Sequence, residues 1–220
     1  MKWCLFLFPW ILLATDIPVG DKVIRVPESP THQMIGRQTR QFSLMESTTP
    51  ASNRLIYLSA PNEIAMKSNK NIVMDLDDYH LIQSYRQSEF LDLTFEQFHA
   101  GKQAMLEGIK QALTPMSMTE LEEEVNKTLA EQQFNSAKVK FGNPRLLGDP
   151  EITDKWLRFT LLSEIEVDNA SILIACQATT TIIKNRLVYI YSYCQYKGSE
   201  SLPHLNKLHS EFVSGIFSSN

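Results

Sequence analysis

Two periodicities divide this chain. Between Leu93 and Leu129 apolar residues recur every three or four positions, and between Trp156 and Tyr196 they alternate with polar ones. The first spacing predicts helices and the second predicts strands, because side chains repeat at 3.6 residues around a helix and at two along a strand. Thr94 and Gln97 form a capping-box pair, after which Phe95, Phe98, Met105, Leu106, Ile109 and Leu113 share one helical face. Pro115 ends that helix near Thr114. Ser117 with Glu120, or Thr119 with Glu122, starts a second helix whose apolar stripe is Leu121, Val125 and Leu129. Its acidic run Glu122 to Glu124 reads as a solvated first turn favoured by the helix dipole. Strands are expected at about 137 to 142, 155 to 167, 171 to 183 and 187 to 197. A last helix, Leu202 to Phe217, follows, with Leu205, Leu208, Phe212 and Ile216 facing inward. The implied fold class is α+β, an antiparallel sheet with helices packed on it.

The amino-terminal third is harder to pattern. Residues 55 to 61, LIYLSAP, read as a strand stopped by Pro61. Residues 21 to 54, rich in Pro, Ser, Thr and Gln from 27 onward, read as an irregular segment with one short strand around Gln41 to Met45. Residues 1 to 20 carry one Lys and then an uncharged run from Trp3 to Ala14, the length of a signal-peptide core and short of a spanning helix. Export to a periplasm or the outside is therefore expected, with cleavage after Ala14 or Gly20. An uncleaved membrane anchor and the buried start of a cytosolic domain are the other two readings. Residues 55 to 220 form the expected α+β domain.

Alternation also predicts register. A four-residue loop at Asp168 to Ser171 places Val167 opposite Ile172, and a three-residue loop at Lys184 to Arg186 places Ile183 opposite Leu187. By that count Cys176 faces Cys194, within reach of a disulfide closing a loop worth about 3 kcal/mol. The bridge is conditional on export, since a reducing compartment would leave two inert core thiols. A slip of one residue at the turn would put the sulfurs on opposite faces. The same register gathers Arg158, Gln177, Thr179, Tyr189, Tyr191 and Tyr193 on one face, beside Thr160, Glu164 and Thr181. Tyrosines among hydroxyls and amides make either a binding surface or a layer packed beneath the helix 94 to 113 or the N-terminal segment.

Charge excludes some classes. The chain has 220 residues, 21 Lys and Arg against 25 Asp and Glu, and no basic cluster, so nothing holds nucleic acid. Membrane contact is expected only through residues 1 to 20, if they remain. Removal of those residues would take one Lys and one Asp, leaving the net charge at −4.

Catalytic and metal-binding spacings are missing. The five histidines make no H-E-x-x-H, and no P-loop, G-x-S-x-G or G-x-G-x-x-G occurs, so no metal or cofactor is expected. MDLDDYH gathers Asp75, Asp78 and His80, read first as a polar turn and otherwise as the one cluster a hydrolase could use. Asn126 and Asn169 match the glycosylation acceptor.

KWLRFTLLSEIEV (155 to 167) and NRLVYIYSYCQYKGSESLPHLNKLHSEFVSGI (185 to 216) resemble the end of PsbP-like domains, where an antiparallel meander passes through an aromatic-rich strand into a closing amphipathic helix. The likeness covers about 138 to 217. It implies an α/β/α sandwich, mostly in binding or assembly proteins, and carries over no functional residue. The expected function is that of an exported, non-enzymatic module binding an unknown protein or small ligand.

Overall fold

The computed structural model describes residues 14–131, 139–167 and 170–220. The N-terminal run before Ala14, part of the strand expected at 137 to 142, and Asn169 lie outside them. Seven strands form the path of a nine-stranded antiparallel sheet, in the order β3 (His32–Met34), β4 (Asn53–Pro61), β5 (Asp78–Tyr85), β11 (Arg186–Gln195), β10 (Ala170–Ile183), β9 (Trp156–Val167) and β6 (Val139–Phe141). The short β7 (Arg145–Leu146) and β8 (Glu151–Ile152) pair with β9 outside this path. A separate hairpin, β1 (Ala14–Val19) and β2 (Lys22–Pro27), lies over one face.

Helices pack on the sheet, as expected, and the core is built on both of its sides. On one side, Ile17, Val19, Ile24 and Val26 of the hairpin join Phe212, Val213 and Ile216 of α5 (Ser201–Ser219) against Ile82, Val188 and Ile190. On the other, α1 (Arg40–Ser47) and α2 (Asn62–Ser68) cover Leu55, Leu58 and Leu81. There too α3 (Phe95–Ala112) covers Leu157, Ile182 and Leu187 with Phe98 and Leu106. Val125 and Leu129 of α4 (Pro115–Glu131) meet Val139. Burying each such side chain contributes about 1.5–3 kcal/mol, which is what holds the amphipathic helices down.

The C-terminal elements sit where the pattern places them, except that α4 starts at Pro115 rather than after a Ser117 or Thr119 cap, which puts Glu122 to Glu124 inside the helix and not in its first turn. The capping box at Thr94 is formed, with Gln97 N donating to Thr94 Oγ1 and Thr94 N to Gln97 Oε1. The N-terminal third differs from the expectation. Where an irregular segment is expected, the chain forms β2, β3 and α1, and Gln41 to Met45 are helical, capped by Thr39. Residues 78–80, read as part of a polar turn, open the strand β5, third in the sheet. β1 also bears on the cleavage sites: a cut after Gly20 would remove Ile17 and Val19, 2% and 0% exposed, whereas a cut after Ala14 would spare them.

The β1–β2 turn is pinned by charge. Gly20 has φ +60°, and a Cβ there would lie 2.3 Å from the Glu89 carbonyl oxygen, so only glycine fits. Its N–H donates to Glu89 Oε1 at 3.0 Å, and Glu89 also pairs with Arg54. Arg186, 1% exposed, reaches Asp21 on the turn and Asp92 at 2.6 Å.

Candidate functional site

The predicted site residues do not share a face. Lys184 and Asn185, with φ +47° and +63°, form a two-residue turn, so Ile183 pairs with Arg186 rather than Leu187. Two consecutive positive φ values mark the hairpin turn whose twist matches that of its strands. Shortening the loop by one residue reverses which side of β11 faces which side of β10. Cys176 therefore stands opposite Tyr193, and Cys194 opposite Ala175. The sulfurs emerge on opposite sides of the sheet, and both cysteines are free, which overturns the disulfide. Burial pushes the Cys176 thiol up to about 12 and the Cys194 thiol up to about 11, so neither is a nucleophile near neutrality. The first hairpin is also tighter than expected, with Val167 opposite Ala170, but a shift of two keeps the faces.

Tyr189, Tyr191 and Tyr193 consequently lie on the side of α1 to α3. Tyr193 stacks on Tyr79 with centroids 4.6 Å apart, and Tyr189 packs with Phe98 and Leu106. Desolvation raises all three hydroxyl pKa values. Partly buried and enclosed by helices, they make core rather than a binding platform.

Arg158, Gln177 and Thr179 do share a face, and α5 covers it. Arg158 Nε donates to Thr179 Oγ1 at 3.1 Å, and Thr179 Oγ1 lies 2.7 Å from His209 Nε2. His209 Nδ1 is 2.8 Å from Ser192 Oγ, which is 2.8 Å from His80 Nδ1. Arginine only donates, so if each hydroxyl proton is used once, Thr179 donates to His209 Nε2. His209 Nδ1–H then donates to Ser192, and Ser192 donates to His80. That ordering needs both imidazoles neutral. Burial supplies the condition, lowering His209 to about 3 and His80 well below its ordinary value. Thr179, Ser192 and His209 are each 0% exposed, so the hydroxyl between two imidazoles joins α5 to the sheet and is closed to a substrate. Gln177 reaches Asn206 of α5 at 3.4 Å.

Of the hydrolase cluster, Asp78 and His80 stand two residues apart on β5 and take different partners. His80 belongs to this buried chain and stacks on Phe212, while Asp78 pairs with His204 at 2.9 Å. Among the described residues no group of three or more His, Cys, Asp or Glu could hold a metal ion.

An open cavity of about 530 Å3 lies at the β3 end of the sheet. Its inner wall is His32 of β3 and Tyr57 of β4, 8% and 5% exposed. Tyr57 is turned that way by a bulge: the β4–β5 register shifts between Leu55 and Tyr57, which puts Tyr57 opposite Ile82 on the hairpin side. Thr15 of β1, Glu28 and Ser29 bound the cavity on one side, and Asn62 and Met66 of α2 on the other. His32 Nδ1 lies 3.0 Å from Thr31 Oγ1, but its buried Nε2 has no hydrogen-bond partner. Burial lowers the His32 pKa, favouring the neutral ring, so Nε2 is left with one donor or one acceptor unused just behind the cavity wall. Sequence reasoning missed these residues. His32 sits in a segment read as irregular, and no local signal marks the bulge. His209 was missed as well, though its place at i+4 from Leu205, inside the apolar stripe of α5, is a signal that could have found it. No protein-family model and no curated protein matches the chain.

Proposed function

We propose that this chain is an exported, non-enzymatic binding module that takes its ligand, a small molecule or a segment of a protein, in the cavity at the β3 edge. The observation that carries the reading is the pairing of an open volume within the ordinary range of ligand sites with an unpartnered imidazole nitrogen on a buried wall. A buried polar atom left without a partner costs about 1–3 kcal/mol, which a ligand would recover on turning the His32 ring so that Nε2 meets it. The enclosure of Ser192 between two neutral histidines supports a structural use of the hydroxyl–imidazole pairs. Export rests on the uncharged run from Trp3 to Ala14. The PsbP-like reading draws support at the level of architecture, from helices on both faces of an antiparallel sheet.

Fragment screening by ligand-detected NMR tests the site. Thr15 is half-buried on the cavity side of β1, and Thr15→Trp fills the volume. Fragments that bind the native chain are expected to lose binding to the folded variant. An identical hit set for both proteins, or no hit with either, would count against the cavity as the site.

A further inference from the structure

The ligand class can be narrowed by the backbone that borders the cavity, an argument that rests on the reading just given. Ile35 N–H donates to the Leu58 carbonyl, and Asn62 N–H to the Thr31 carbonyl. These two bonds fix the phase of the β3–β4 ladder: residues 31, 33 and 35 direct their peptide groups toward β4. His32 and Met34 therefore direct theirs away from it. β3 ends the strand order among the described residues, so no strand receives these groups. The Met34 carbonyl accepts from Asn69 Nδ2 at 3.1 Å, which leaves the His32 N–H, the His32 carbonyl and the Met34 N–H on the open edge.

The cavity straddles this edge rather than lying on one face. His32 and Tyr57 line it from the hairpin side, and Gln33 and Met66 line it from the side of α2, with Met66 53% exposed. A strand laid along β3 would place alternate side chains on those two walls. Of the residues lining the cavity, Glu28 is the one acidic side chain and none is Lys or Arg, so the cavity favours a cation.

We propose that the cavity receives an extended peptide segment of a partner protein, added antiparallel to β3. Its main chain bonds to His32 and Met34, and a lysine or arginine side chain is directed to Glu28. The three-residue length of β3 limits the contact to two or three main-chain bonds, so recognition is shared between backbone and charge.

The experiment uses the full chain, labelled with 15N, and a pool of pentapeptides Ac-Xaa-Lys-Xaa-Lys-Xaa-NH2 in which Xaa is Val, Ile, Thr or Tyr. Titration is expected to shift the amide signals of His32 and Met34 and to slow their hydrogen exchange, leaving that of Gln33 unchanged. Met34→Pro removes an outward N–H without touching the β4 ladder and is expected to weaken binding about fivefold. Glu28→Gln is expected to weaken it about threefold, and less so in high salt. A pool N-methylated at alternate residues, which cannot add as a strand, is expected not to bind, a control that does not depend on how any variant folds. The peptide reading is overturned if the His32 and Met34 amides are already protected in the free chain, or if the pool fails to shift them up to about 2 mM. It is equally overturned if n-butylammonium binds as well as the peptides, a result that leaves a ligand-binding cavity standing. Failure of every probe, fragments included, overturns both readings.

Discussion

Replacing His209 by glutamine should change the pH dependence of stability as well as the stability itself. The buried chain from Arg158 through Thr179, His209 and Ser192 to His80 needs a neutral imidazole, and burial lowers His209 to about 3. In the unfolded chain the same group takes up a proton below about 6.5. The unfolded state thus binds more protons than the native one between these values, and stability falls as pH falls through that window. At 1.36 kcal/mol per pH unit, His209 removes about 2 kcal/mol between pH 6.5 and 5. His80, lowered for the same reason, adds to the loss in the same direction. Glutamine retains a donor and an acceptor for Thr179 and Ser192 but does not titrate. At pH 7.5 the variant should lose about 1–3 kcal/mol through imperfect hydrogen bonds. Between pH 6.5 and 5 its stability should fall by about 2 kcal/mol less than that of the native chain. Urea unfolding followed by circular dichroism at four pH values measures both quantities. Equal pH slopes for the two proteins would refute a neutral buried His209.

Three further outcomes are expected. Cys176 and Cys194 should remain reduced in protein purified without reductant and react with a thiol reagent only after unfolding; an intact mass two protons light would contradict the observed register. Asn185→Val forces a β-branched residue to φ +63° and should cost about 1–3 kcal/mol in thermal unfolding, whereas Asn185→Gly should cost little or stabilise. Gly20→Ala, with its Cβ directed into the Glu89 carbonyl, should destabilise by about 2 kcal/mol or more, since the backbone on both sides must shift. No change in the melting temperature would refute the close approach.

Much of the architecture was readable because its determinants are local. Thr94 and Gln97 are three residues apart, and their reciprocal bonds form within one helical turn. The strands 156–167, 170–183 and 186–195 announced themselves by alternation. β5 did not, because it is buried on both faces: Tyr79 and Leu81 pack on one side, His80 and Ile82 on the other, which erases the alternation. α1 was obscured by its polar sequence, where Gln41 and Ser47 are buried beside Phe42. The proposed face failed at one turn. The turn holds two residues, Lys184 and Asn185, rather than the expected three, and that difference moves every side chain of β11 across the sheet, removing the disulfide and separating the tyrosines from Arg158, Gln177 and Thr179.

The sequence by itself determined the helices and strands from Leu93 onward, because periodicity and capping act over a few residues. It also determined the absence of known catalytic spacings, a property of order along the chain. Tertiary structure alone decided which faces meet, since a strand's register depends on a turn whose length differs by one residue and whose consequences appear at the far end of the sheet. The cavity at His32 and Tyr57 likewise exists only where a bulge, a hairpin and a sheet edge converge, and no stretch of the chain carries that convergence in its own order.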